Sequence, residues 1–317
     1  MPTSRRALLG LSLAAGLAGC APDPTVGRRH SQAGPAPAAA MPQAALLAAS
    51  RAEQQMADWL AGVAAGAPGN GAPAPVLTAM ATSHAAHAQL LARPEPLSPA
   101  TTTPAPTARP TAVRTAWKAL APQLAAREDA LVKQHSELLA RAEDASQALL
   151  LCSLAAFAAG HRSPGSAPAE GRLRPAMVEV GSPEQARLAL LSQLRALAEG
   201  LEVGAGQVDP QSPEYERGKA RLAQVWQARD ALIRRLAADG TTVPPAELSY
   251  AMPGDFASPA AVRRTWAALE NGVLAGWARV CAATTGTDRS QALSQVLAQT
   301  AQVRADGGAL GWWPGWV

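Results

Sequence analysis

Glu53, His84, His87, Glu128 and His161 fall on the apolar seams of four successive predicted helices, with the two middle histidines three residues apart on one of them. Acids and imidazoles turned into the centre of a helical bundle are a metal-binding chemistry. Carboxylates neutralise a cation, and histidine adds a softer nitrogen donor. A di-metal carboxylate bundle takes a Glu from each of two helices and a Glu-x-x-His from each of the other two. Here the chain order is Glu53, then His84-x-x-His87, then Glu128, then Ala158-x-x-His161. His84 and Ala158 therefore stand where that template has acids. Losing two carboxylates removes the charge that holds a second cation, which argues against a di-iron oxidase. Two readings stay open: a single ion, Zn or Fe, held by these five residues, or a metal-free polar cluster satisfied by its own hydrogen bonds. Four of the five histidines (84, 87, 135 and 161) lie in this half of the chain.

The helices that would carry these residues are legible from periodicity. Met56, Trp59, Leu60 and Val63 mark a first helix over 42–63, and Leu77, Met80, Ala81 and Leu91 a second over 76–91. Gly66 to Pro75 breaks the chain between them. A Pro/Thr-dense stretch from Arg93 to Pro110 cannot be helical. Val113, Trp117, Leu120, Leu124, Leu131 and Leu138 predict a third helix over 111–140, and Leu150, Leu151, Leu154 and Phe157 a fourth over 143–160. Connections that run short, long, short suit an antiparallel four-helix bundle with one crossover, here over 42–162.

After a Pro/Gly-rich linker at 163–181 the plan repeats over 182–317. Ser182-Pro183, Ser212-Pro213 and Ser258-Pro259 each place a capping hydroxyl before a proline at the first helical position. Four more helices follow, again with the long connection (240–256) between the second and third of the group. The acids nearest this second core, Glu199, Glu202 and Glu270, have no histidine partners. Arg229 lies on the Leu222/Val225/Ile233/Leu236 stripe, where it either pairs with Glu202 or Glu270 or extends to the surface. Abundant Ala and Leu, with no convincing period-2 strand, make the expected fold class all-α, as two tandem four-helix bundles.

Arg5-Arg6, an apolar run from Ala7 to Leu17, and Leu17-Ala18-Gly19-Cys20 stand in the order of a cleaved secretory signal over residues 1–19. The run is too short to span a bilayer of about 30 Å. Its ending looks like a bacterial lipobox, which implies lipidation of Cys20, a tether over 20–41, and an extracytoplasmic protein held on a membrane by acyl chains. Ser4-Arg5-Arg6-Ala7-Leu8-Leu9 also resembles a twin-arginine signal, so the export route stays open. The formal charge of the whole chain is +4, and the signal segment carries two arginines and no acid. Without a basic helix face interleaved with aromatics, nucleic acid is not an expected partner. Cys152 and Cys281 fall inside helices of different halves and are expected as buried free thiols, with a disulfide between them as the alternative outside the cytoplasm. No Ser/His/Asp grouping or phosphate-binding Gly loop has supporting context.

Three stretches carry a family resemblance: Gln227-Ala228-Arg229-Asp230-Ala231-Leu232, Ala246-Glu247-Leu248-Ser249-Tyr250-Ala251-Met252-Pro253, and Trp312-Trp313-Pro314-Gly315-Trp316. Over residues 183–317 the chain resembles a ferritin-like domain of unknown function found in bacterial lipoproteins. The resemblance implies a ferritin-like bundle and a cell-envelope location, and no assigned activity. The expected function is a non-enzymatic binding or scaffold role toward an envelope protein or ligand. The alternative is a metal-binding or redox protein using the degenerate site of the first bundle.

Overall fold

Nine helices and no strand make up the described residues of a computed structural model, which are 41–97, 110–169, 171, 172, 175 and 178–316. Cys20, the signal segment and all but the last residue of the tether lie outside them. The first half contains α1 (Gln43–Ala65), the single turn α2 (Ala67–Asn70), α3 (Ala74–Leu91), α4 (Trp117–Leu139) and α5 (Ala145–Gly160). The second contains α6 (Pro183–Ala205), α7 (Pro213–Ala238), α8 (Pro259–Ala283) and α9 (Gly286–Ala305). Ser182, Ser212 and Ser258 each accept a backbone N–H at a helix start, as the Ser-Pro pairs predict, and Ser182 forms a full capping box with Gln185.

Helix direction can be followed from the side-chain bonds. Ser50 donates to the Ala88 carbonyl at 2.7 Å and Gln43 to that of Arg93 at 3.4 Å, so α1 and α3 run antiparallel. In the second half, Arg263 bonds Glu214 and Arg221 bonds Glu270, both across a separation of 49 residues. A constant separation of that kind means that α7 and α8 run parallel, as a long crossover requires. α8 in turn packs against α6 and α9.

α5 carries no charged side chain, and every residue from Ala148 to Phe157 is buried. A helix apolar on all sides has to be covered on all sides. α4 covers one face of α5, and α8 and α9 cover others. The larger core therefore passes from Leu149, Leu150 and Leu151 directly to Leu190, Leu194, Trp266 and Val273. A smaller core of Met56, Leu60, Val63, Leu77, Met80, Leu120, Leu124 and Leu131 lies beside the candidate site. The described residues form one compact unit. Arg289 of α9 is 4% exposed and ties this unit together, donating to the carbonyls of Leu139 and Ala142 at the C-terminal end of α4 as well as to Thr284. Cys152 and Cys281 are both free and buried.

The third helix begins at Trp117, six residues later than its apolar pattern predicts. Residues 111–116 are instead non-helical and cross the end of α1. Val113 N–H donates to the Gly62 carbonyl at 2.9 Å, and Asn70 donates to the Val113 carbonyl at 3.0 Å. A Cβ at Gly66 would lie 1.9 Å from the Val113 oxygen, so only glycine admits this crossing.

Candidate metal centre

Glu53 is the hub of the site. Met56 and Leu60 commit its face of α1 to the core, and Glu53 itself is 1% exposed. His84 Nδ1 donates to Glu53 Oε2 at 2.6 Å, and His135 Nε2 to Glu53 Oε1 at 2.6 Å. The opposite nitrogen of His84 lies 3.2 Å from Glu128 Oε1. All four side chains are buried, on α1, α3 and α4.

The electrostatics follow from this wedge. Burial pushes the His84 imidazole down, but the charges of Glu128 and Glu53 outweigh it and raise its pKa to about 10. Burial likewise raises the Glu53 carboxyl, yet the His84 charge and hydrogen bonds from His135 and His84 hold it well below the usual range. For Glu128 burial prevails and the carboxyl is raised. As the pH falls, Glu128 is therefore the first of the two acids to take up a proton.

His87 differs from its neighbours. A carbonyl only accepts, so the 2.8 Å contact between His87 Nε2 and the Trp312 oxygen fixes the proton on Nε2. Burial keeps the ring neutral by lowering its pKa. The lone pair of Nδ1 is left 3.4 Å from Glu53 Oε2, with no hydrogen-bond partner. Two acceptors thus face each other in a buried site. Glu128 Oε2, His135 Nδ1 and His161 Nε2 are also buried without partners.

Glu53, His84, His87 and Glu128 thus come together as their spacing predicts. One ligand atom each from Glu53, His84 and His87 lie within 4.8 Å of one another, enough to hold a metal ion. His161 joins by a different route. Its Nδ1 donates to the Phe157 carbonyl at 2.8 Å, and its ring lies 4.1 Å from that of Phe157, which in turn meets the edges of His84 and His87. His135 was not among the five residues picked out by spacing. The signal was available: it stands seven residues after Glu128 on a seam that includes Leu131 and Leu138. The Trp312 carbonyl is a backbone group from a distant segment and has no signature in residue type.

The second half corrects the buried pairing expected of Arg229 and bears out its alternative, since that side chain is 32% exposed. Glu270 is fully buried, but its partner is Arg221, at 2.7 and 2.9 Å, with Gln299 donating to it as well. Arg229 bonds its neighbour Asp230. The reason is register. The shared separation of 49 residues between α7 and α8 puts Arg221 level with Glu270 and Arg229 two turns beyond it. Glu202 takes no part, and Glu199 accepts from the Tyr250 backbone N–H at 3.1 Å.

In metal-free protein the site sets a two-sided pH dependence. His84 titrates near 6.5 when unfolded and about 10 when folded. Its stabilisation is complete below pH 6.5 and is lost as pH rises through about 10. His161 is lowered to about 3 by burial, so the unfolded chain gains a proton first and stability falls as pH drops from 6.5 toward 3. Urea unfolding in chelator between pH 4 and 10 is expected to show a maximum near pH 6–7. His84→Gln should flatten the alkaline side and leave the acid side in place.

Comparison with known families matches residues 203–316 to "Domain of unknown function (DUF4439)". No curated protein and no solved structure matches the chain. The matched segment covers most of the second half and includes Trp312, the residue whose carbonyl orients His87.

Proposed function

We propose that this chain is a cell-envelope lipoprotein built from two tandem ferritin-like bundles, and that the first bundle holds one divalent transition metal at Glu53, His84 and His87. The observation that carries the metal is the His87 Nδ1 lone pair facing a carboxylate oxygen at 3.4 Å, with its tautomer fixed from behind by a backbone carbonyl. Metal-ligating histidines have that outer hydrogen bond as a rule. The His87–Glu53 separation also fits, since ligands about 2.0–2.1 Å from a tetrahedral zinc lie roughly 3.3–3.4 Å from one another, whereas the 2.6 Å His84–Glu53 pair has to open to admit the ion. Two imidazoles and one carboxylate suit Zn or Fe rather than Ca or Mg, which prefer all-oxygen cages. Entry of the ion requires His84 to give up the proton it shares with Glu53. Glu128 and His135 stand next to the site as outer partners or further ligands.

Ligands that are 0–1% exposed suit a resident ion that braces α1 against α3 and α4. That role is compatible with non-enzymatic binding or scaffolding at the envelope. The parallel α7 and α8 support the ferritin-like topology, and the match to a domain of unknown function assigns no chemistry against it. Anchoring through acyl chains on Cys20 rests on the order of Arg5-Arg6, the apolar run and Leu17-Ala18-Gly19-Cys20. No helix among the described residues is long and apolar enough to cross a membrane.

The test is elemental analysis of purified protein together with melting on addition of Zn or Fe(II). About one ion per chain is expected, with a melting temperature raised by several degrees at saturating metal. His87→Ala should abolish both. Metal-free protein whose melting is unmoved by either ion would overturn the proposal.

A further inference from the structure

The ligands lie on α1 and α3, yet the group behind His87 comes from more than two hundred residues away. The segment after α9 returns across the end of α5 and is held along its length. Leu310 is fully buried and fills the space over Gly160, where a Cβ would lie 2.1 Å from its side chain. Its carbonyl accepts from Ala169 N–H at 2.8 Å. The Trp312 side chain sits over Gly171, and Gly315, at φ +80°, lets the chain turn against Ala278 of α8. Between these anchors the segment contacts His87 twice. The Trp312 carbonyl accepts from His87 Nε2–H at 2.8 Å, and the Trp313 ring lies against the imidazole with centroids 4.7 Å apart and planes at 54°. Trp313 is fixed in its turn by donating Nε1–H to the Arg172 carbonyl at 2.9 Å.

We infer that Trp313 is a positioning residue for the metal site, holding the His87 ring so that Nδ1 is the nitrogen offered to the ion. This rests on the metal-binding proposal above. A histidine ring free to rotate about χ2 offers either nitrogen in several directions. A ring clamped between an aromatic face and a carbonyl offers one nitrogen in one direction, so little freedom is lost on binding. The coupling is reciprocal. If the segment improves metal affinity, the metal must stabilise the docked segment by the same factor.

The experiment uses full-length wild type, Trp313→Ala and Trp313→Phe, titrated with Co(II) as a spectroscopic stand-in and with Zn in competition. Trp313→Ala is expected to weaken affinity by about 10–100-fold, the usual loss when an outer partner of a metal ligand is removed. It should also shift the Co(II) ligand-field bands. Trp313→Phe keeps an aromatic face toward His87 and should restore both to near wild type. Backbone hydrogen exchange over residues 306–316 of the wild type should slow on Zn binding. That measurement decides the question if Trp313→Ala fails to fold. Wild-type affinity and bands in Trp313→Ala, or exchange over 306–316 that ignores Zn, would overturn this inference and leave the metal site standing. A wild type that takes up neither ion would overturn both.

Discussion

In the presence of a chelator, Glu53→Ala is expected to lower the unfolding free energy by about 3–5 kcal/mol, the range for breaking a buried charge pair from one side. Both Glu53 oxygens are engaged at 2.6 Å, one by His84 and the other by His135. Alanine leaves His135 without the carboxylate that accepts from its Nε2, and leaves the buried His84 cation with Glu128, a carboxyl that burial already pushes toward its neutral form. It also opens a void where the carboxymethyl group was. Glu53→Gln separates these contributions. It keeps the volume and one acceptor but not the charge, and should cost roughly 1.5–3 kcal/mol, the scale of a hydrogen bond to a charged group. Urea unfolding at pH 6.5 checks both, with a changed midpoint and an unchanged m-value as the signature of a native-state loss. A Glu53→Ala protein as stable as wild type would mean that the cluster contributes nothing without metal.

Trp266→Ala in the second half should cost a similar amount, about 3–5 kcal/mol, for a different reason. The indole is 1% exposed and lies over two glycines on neighbouring helices. A Cβ at Gly204 would lie 2.5 Å from its ring, and one at Gly218 2.6 Å. Its Nε1–H donates to the Gly200 carbonyl at 2.8 Å. Removing the ring empties a space that two helices without side chains at those positions cannot fill. The converse, Gly204→Ala, drives a methyl into a rigid ring and should cost about 1–3 kcal/mol by overpacking. Because both changes act on one volume, the double variant should lose less than the sum of the two. Denaturant unfolding of the three variants measures the coupling, and strict additivity would mean that ring and glycines are energetically independent.

Trp266 shows why much of the architecture could be read early. It recurs with Val262, Leu269 and Val273 at helical spacing, and such seams identify a helix wherever burial is one-sided. The Ser-Pro starts were legible too, because a capping hydroxyl and a proline suited to the first helical position stand side by side just before an apolar periodic run. Spacing also placed Glu53, His84, His87 and Glu128 on seams that do meet. What escaped depends on relations between elements. Residues 111–116 carry an apolar, helix-like pattern, but two glycines at the end of α1 offer their backbone a better partner. Arg221 and Arg229 both lie near the same face of α7, and only the offset between two parallel helices decides which one meets Glu270. Periodicity along one helix carries no information about that offset. The clamp on His87 is a main-chain oxygen, and any residue at position 312 could supply it.

That oxygen also has a consequence for timing. The ribosome makes the helices bearing the ligands first and the group that aims His87 more than two hundred residues later. Arg289 likewise leaves the carbonyls of Leu139 and Ala142 waiting for a helix still to be synthesised. At elongation rates of about 5–20 residues per second, the nascent first half exists for roughly 8–30 seconds without its clamp. An ion met in that interval encounters imidazoles that can still swivel. On the metal-binding proposal, selective uptake is therefore an event of the finished polypeptide.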